Sequence, residues 1–471
     1  MNDKNNTQEI KQWRHVFIEA ISFSWLAWAS LFGYIAVEIS HGNPLVAGGL
    51  ILAAAILAMN GLARTDFWLT SRGPNWWRHH KYLRFFHHIT DEGELAGIFI
   101  GLIALSLLYF NGAHEHIHFA YKEAFTLLGI MSAANLAVLH MMPIMSFLEK
   151  IGGVRLVVIG GSLLSSLTGE PAASVFLADY LKKRVEEKDR AKLATGLAAT
   201  IGSGGSFMPF AAPPILIVWG VLASKFGWGI PQLISFVGVG CFLHVLITTF
   251  RFSKYIKNIE SPAEKLSSKG LVYLSLLALV ILWHVIYPGT LLWIFDIIIG
   301  FTSWFVANKK YKNCNEDTLE EAFTAKWQPL ILATLLMALE IIGIVADPLI
   351  TTIAEQIPTT WPPLAIAFAL FFITTWTSHF ADNALASRVF IMIPVALIPV
   401  FSQPIAALLA ASVIMGALFG GFLMIPANLP NFYLARTFKV TPGAWIRVSW
   451  HLYLTIAAYV GWIILKYFLI I

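Results

Sequence analysis

SSLTGEPAA (residues 165–173) followed by GGSFMPFAAP (204–213), and TSHFADNALA (377–386) followed by GGFLMIPANLP (420–430), are two copies of one pattern in one order. The shared kernel is Ser-x-x-x-acid-x-Ala (Ser166, Glu170, Ala172; Ser378, Asp382, Ala384). It continues as Gly-Gly-x-x-Met (Gly204, Gly205, Met208; Gly420, Gly421, Met424) and two prolines spaced Pro-x-x-x-Pro (Pro209, Pro213; Pro426, Pro430). Both copies stand in apolar surroundings, where an acid is costly and a Gly- or Pro-broken helix leaves backbone groups without intrahelical partners. Interrupted apolar segments at corresponding places in two halves point to a secondary transporter's binding site, because those freed groups can hold an ion at mid-membrane.

The rest of the 471-residue chain suits that solvent. Hydrophobic residues make up 57% and charged residues 13% of it, too little polar surface for a water-soluble globule. Apolar segments near 16–38, 45–63, 93–110, 124–147, 193–224, 232–250, 271–287, 289–307, 328–345, 405–434 and 446–471 approach or exceed the roughly 17–25 residues a spanning helix needs. Eleven crossings follow. Segments 154–180 and 362–400 carry Gly, Pro, Ser and acidic residues in their middles, and are expected to be re-entrant hairpins that enter and leave by one face. With the N-terminus inside, the basic loops 64–90, 182–192, 251–269 and 308–326 all fall in the cytoplasm, while the Lys/Arg-poor 39–44, 111–123, 225–231 and 346–361 fall outside. Counting the hairpins as crossings breaks that bias.

The expected fold is therefore an all-α polytopic membrane protein with about 11 transmembrane helices and two re-entrant hairpins, in two inverted-topology repeats with broken helices. Residues 1–92 supply N-terminal helices and an interfacial amphipathic segment, and the first apolar stretch is read as an uncleaved span. Residues 93–270 form the first repeat (hairpin 154–180, broken helix 193–224) and 271–471 the second (hairpin 362–400, broken helix 405–434), with the C-terminus outside. The net charge of +5 is assigned to Lys and Arg in cytoplasmic loops and not to nucleic acid, for which no motif is present. Cys241 and Cys314 have neither metal-ligand nor redox spacing.

The order hairpin, broken helix, spans, hairpin, broken helix, with Ser/Thr and an acid or Asn at each tip, resembles the ion transporter superfamily of sodium-coupled dicarboxylate symporters and sodium/proton antiporters. Within it TGEPAA (168–173), SHFADNALASR (378–388) and NLPNFYLARTFK (428–439) are similar to a bacterial family of sodium/proton antiporters. The resemblance implies a multi-pass protein of the bacterial inner (cytoplasmic) membrane, a homodimer, sodium and protons as substrates, and no cofactor. The symporters of the superfamily carry Ser-Asn-Thr at their tips, whereas this chain has Ser-x-x-x-Glu-Pro and Ser-x-x-x-Asp-Asn. Two acidic tips repel a dianion and attract a cation.

A carboxylate in a dry site is disfavoured in its charged form unless a cation or proton is bound, so Glu170 and Asp382 are expected to hold either sodium or a proton. If only loaded states change access, that competition is obligatory exchange. Side chains of Ser166, Thr168, Ser378, Asn383 and Asn428, and carbonyls around Gly204, Gly205, Gly420 and Gly421, are the expected further sodium ligands; the bland alternative is that Ser and Gly merely permit close helix packing. Glu340, in the span leading to the second hairpin, and His379, beside Asp382, are candidate proton relays. Asn135 and Asn431 are either ligands or interhelical hydrogen bonds. Arg388 neutralises Asp382, anchors the hairpin, or serves a sodium-coupled anion symporter, the alternative function. Glu19 and Asp296 lie deep in spans; Glu94, Asp179 and Asp347 read as interfacial. His79, His80, His87 and His88 read as surface anchoring in a Trp- and Arg-rich amphipathic stretch, and His114, His116 and His118 as an outside loop. No nucleophile–base set, phosphate loop or nucleotide motif suggests an enzyme.

Overall fold

The protein is all-helical and membrane-embedded. The computed structural model describes residues 25–40, 42–72, 94–110, 117–138, 140–257, 266–286, 292–310, 326–358 and 360–471. Glu19, His79, His80, His87, His88, His114, His116 and Cys314 lie outside them, as do the side chains of Glu94 and His118. Among the described residues there is no strand, only an isolated bridge between Val185 and Ile256. Six of the described helices are long and apolar enough to cross a membrane, and shorter apolar helices accompany them.

The chain divides into two compact units, Met1–Ile117 with Ile341–Leu349, and His118–Glu340 with Ile350–Ile471. In the first, α1 is Trp25–Ile39, α2 is Pro44–Arg72 and α3 is Glu94–Phe110. Gly48 of α2 lies so close to the 341–349 segment that a Cβ there would stand 2.5 Å from the Val345 carbonyl oxygen. Small residues let backbones approach in this way where water no longer drives helix association.

The second unit opens with α4 (Ile117–Val138) and α5 (Met142–Thr168). Segment 124–147, expected as one span, is thus two helices: Pro143 at the start of α5 disfavours helical geometry just before it. Gly152 and Gly153 break α5 internally, Gly153 at φ 68°. Gly169, at φ 81° and ψ 152°, turns the chain into α6 (Glu170–Leu181), a conformation glycine adopts without Cβ penalty. After a basic loop come α7 (Arg190–Gly204), an extended stretch through Met208, the single turn Pro213–Leu216, α8 (Trp219–Phe226) and α9 (Ile230–Tyr255).

The second half adds α10 (Ser268–Ile286), α11 (Leu292–Lys310) and α12 (Gln328–Glu355). Helix α12 runs ten residues beyond the expected end at 345, carrying Pro348 inside it, because its apolar pattern continues past Asp347. The second tip joins α13 (Pro363–Phe380) to α14 (Asn383–Phe390). Helix α15 (Gln403–Gly421) then breaks into α16 (Leu429–Thr437) through extended Met424 and Asn428, and α17 (Pro442–Ile470) follows.

The two kernels interlock. In each, the first leg of the tip lies along the first half of its own broken helix: α5 on α7, α13 on α15. The second half crosses over, Pro213–Leu216 packing on α14 and α16 packing on α6. Four glycines make this possible. A Cβ on Gly204 would stand 2.0 Å from the Ser162 carbonyl oxygen, and one on Gly420 2.4 Å from that of Thr375. Their successors abut the tip side chains instead, Gly205 against Glu170 and Gly421 against Asn383. The two kernels therefore lie within one compact unit, His118–Glu340 with Ile350–Ile471.

Candidate functional site

Glu170 is the first residue of α6 and is fully buried. Its position at a helix N-terminus, where backbone dipoles favour negative charge, offsets part of the cost of burying an acid. Its Oε2 accepts a 2.8 Å hydrogen bond from Asn428 Nδ2, so the first tip is held by the second broken helix. Its backbone N–H donates to the Ala211 carbonyl in the first broken helix. The other carboxylate oxygen, Oε1, has no hydrogen-bond partner. A buried acceptor left this way costs about 1–3 kcal/mol, a cost that a proton or bound cation removes.

Asp382 is the N-cap of α14: its Oδ1 accepts from the Ala384 backbone N–H at 2.7 Å. Capping by Asp satisfies an otherwise orphaned helix-end donor. Beside it, Asn383 is buried with neither amide atom hydrogen-bonded. Glu170, Asp382 and Asn428 line one small cavity with Leu127 and the α12 leucines Leu332, Leu335, Leu336 and Leu339. Its volume is ≈ 20 Å³, room for about one water-sized sphere. The expected acids and Asn428 are therefore brought together.

The hydroxyls have a different task. Ser166 Oγ donates to the Gly204 carbonyl and accepts from the Phe207 N–H, and Ser378 Oγ donates to the Ala417 carbonyl at 3.0 Å. Both fasten a tip to its broken helix. Thr168 Oγ1 donates within its own helix, to the Leu164 carbonyl. Asn431 Nδ2 donates to the carbonyls of Gly421 and Met424, both at 2.7 Å, and so bridges the break in the second broken helix. The Gly204, Gly205, Gly420 and Gly421 positions are close-approach points, as the packing alternative supposed, although Gly205 and Gly421 also back the polar tips.

Arg388 does not reach for Asp382: its Nε donates to Glu340 Oε1 at 2.8 Å, joining the second tip to α12. That pairing also gives Glu340 a structural partner. His379 meets the Thr375 carbonyl through Nδ1 and the Tyr453 hydroxyl through Nε2. Asp179 pairs with Lys182 at 2.8 Å near the end of α6. Nearby, Arg184 forms a bidentate pair with Glu149, whose carboxylate also accepts from Tyr180. The pair clasps the base of α6, and its geometry holds the buried Arg184 guanidinium in the charged form. In the adjoining exposed loop, Lys188 and Lys257 hold the Glu186 carboxyl below its usual range.

Two arrangements escaped sequence reading. Asp296, noted only as a deep acid, pairs with His284 at 3.2 Å, with Gly129 packed against its carboxylate. His244 heads a buried polar chain through Ser203 and Tyr459. A lone histidine in an apolar run has no pattern that distinguishes it from an ordinary core residue. No group of three or more His, Cys, Asp or Glu side chains able to hold a metal occurs among the described residues. Compared with known proteins, the chain matches no family model and no curated sequence.

Proposed function

We propose that the chain is a secondary active transporter that exchanges sodium for protons across the cytoplasmic membrane by alternating access. The observation that carries this is Glu170: a fully buried acid, held across the two halves by Asn428, with one oxygen unpartnered at a cavity it shares with Asp382. Such an acid is neutral with a proton or neutral with a monovalent cation, and unfavourable with neither. Sodium would take Glu170 Oε1, with Asn383, Asp382 and freed backbone carbonyls at the breaks as the other oxygen donors. Glu340 and His379 remain candidate members of the proton route, each already tied to a neighbour.

Two further observations support a transporter with re-entrant tips in an inverted repeat. The return legs are α6 of 12 residues and the apolar helical stretch Asn383–Ala396 that α14 opens, about 18 and 21 Å at 1.5 Å per residue, both short of the roughly 30 Å hydrocarbon core. The reciprocal crossing of the two broken helices onto opposite tips is the arrangement a pseudo-twofold repeat produces. The anion-symporter alternative loses its chief support, since Arg388 is committed to Glu340 and a cavity of ≈ 20 Å³ has no room for an organic anion.

Transport by proteoliposomes loaded with a pH dye tests the proposal. A sodium pulse should dissipate an imposed proton gradient, and potassium or dicarboxylate pulses should do so far less. A response that ignores sodium, or that requires an added anion, would refute exchange.

A further inference from the structure

Besides the acid-lined cavity, the second unit holds a groove of ≈ 440 Å³ between α4, α11 and the start of α12, a volume within the range of small-molecule sites. Helical spacing builds it. Phe125, Leu128 and Ser132 recur on one face of α4, and Ile297, Gly300, Phe301 and Trp304 on one face of α11. At Gly300 a Cβ would reach Leu128 at 3.4 Å, so the missing side chain leaves room at the floor. The Ser303 hydroxyl is already spent there, donating to the Ser132 carbonyl at 2.9 Å. The interior therefore suits an apolar occupant.

The outer side of the groove is open. Phe301 is 71% and Leu330 50% exposed, surface that meets hydrocarbon in a membrane-embedded protein. One charged residue lines the groove, Lys326, beside Trp327, whose ring meets Trp304 edge-on at 6.2 Å. Lys326 is half-buried and pairs with no acid among the described residues. Trp beside Lys is the composition of the headgroup level. The loop-charge bias assigns 308–326, and with it this end of the groove, to the cytoplasmic leaflet, where anionic lipids attract basic side chains.

An apolar groove open to hydrocarbon, with a single cation at headgroup depth, is complementary to a long apolar tail carrying a negative head. We infer that it binds an anionic phospholipid of the cytoplasmic leaflet, an acyl chain lying between α4 and α11 and the headgroup phosphate at Lys326. Leu127 and Leu332, on the same helices as Leu128 and Leu330, line the acid cavity, so the bound chain backs two helices that also wall the proposed exchange site. Lipid binding does not depend on the exchange proposal and is read without transport.

The purified full chain, reconstituted in phosphatidylcholine vesicles, is exposed to a trace of phosphatidylglycerol or phosphatidylcholine bearing the same diazirine acyl chain, and the photolabelled peptides are mapped by mass spectrometry. Residues 125–132 and 297–304 should be labelled about fivefold more by the phosphatidylglycerol probe, the gain one lysine gives near an anionic headgroup. Lys326→Gln should remove that preference and keep the labelling by phosphatidylcholine. Gly300→Leu fills the floor and should lower labelling of the groove by both probes. Lys326→Gln alters a half-buried side chain before α12 and keeps the test decisive if Gly300→Leu fails to fold. Equal labelling by the two probes in the parent, a preference that survives Lys326→Gln, or labelling confined to other segments would overturn the inference. Loss of the preference in excess inorganic phosphate would make Lys326 a site for free anions. A disulfide-linked dimer formed by Leu330→Cys and not by the parent would make the groove a contact between copies of the chain. Either result also overturns the lipid assignment.

Discussion

At the residue scale, the two acids are not equivalent, although the sequence presents them at matching positions of a repeat. Glu170 has no structural duty beyond its bond to Asn428, whereas Asp382 caps α14. Asn caps a helix about as well as Asp, so Asp382→Asn should leave the fold intact, and Asp382→Ala should cost about 1 kcal/mol of stability. Any loss of exchange in Asp382→Asn therefore reports charge alone. Glu170→Gln should lower exchange on the order of a hundredfold, as expected for a positioned proton carrier, while circular dichroism and elution volume stay parental. Substantial sodium/proton exchange by Glu170→Gln would place the competing site elsewhere. That Glu170 and Asn428 belong to one buried polar site was legible because an acid and an amide beside prolines in apolar sequence have few cheap alternatives. Arg388 was not legible: an arginine six residues from one acid says nothing of a second acid brought to it from α12.

At the scale of elements, the glycines do the positioning. The helix interruptions at Gly169, at Ala381 and Asp382, and after Gly204 and Gly421 fall in the Gly-, Pro- and acid-bearing stretches that the sequence marks, since Gly-Gly and spaced prolines have direct backbone meaning. Sequence reading missed the division before Met142 and the end of α12, where apolar composition continues across a turn or past a proline. Gly204 and Gly443 give a matched test. A Cβ on Gly204 would stand 2.0 Å from the Ser162 carbonyl oxygen, while one on Gly443 would meet nothing within 4 Å. Gly204→Ala must push α5 from α7 and should destabilise by about 1–3 kcal/mol. Gly443→Ala should be neutral or slightly stabilising because it sits within a helix. Thermal unfolding in detergent reads both. Equal melting temperatures for the two variants would mean that α5 and α7 are not packed this closely.

At the scale of the whole molecule, the inverted repeat proposed above makes a prediction about sidedness. Lys188 follows the first tip and Gln403 the second, and both are exposed. Cysteine at 188 should react with an impermeant maleimide only from the cytoplasmic side, and cysteine at 403 only from the outside. Labelling of both from one side would eliminate the inverted repeat. Composition and loop charge made the membrane setting legible at this scale. The packing of both kernels into one unit was not, because it arises from reciprocal crossing contacts that neither half's sequence displays alone.

The bond between Glu170 and Asn428 joins residues 258 positions apart, and this separation bears on how the protein is made. At about 5–20 residues per second, the ribosome delivers Asn428 roughly 13–52 s after Glu170 has been synthesised. For that interval the acid has neither its amide donor nor the far wall of its cavity, and it enters the bilayer as a neutral carboxylic acid or waits at the insertion machinery. A nascent chain arrested before residue 428 carries an exposed, half-built tip, a mark by which membrane quality control can distinguish unfinished copies from complete ones.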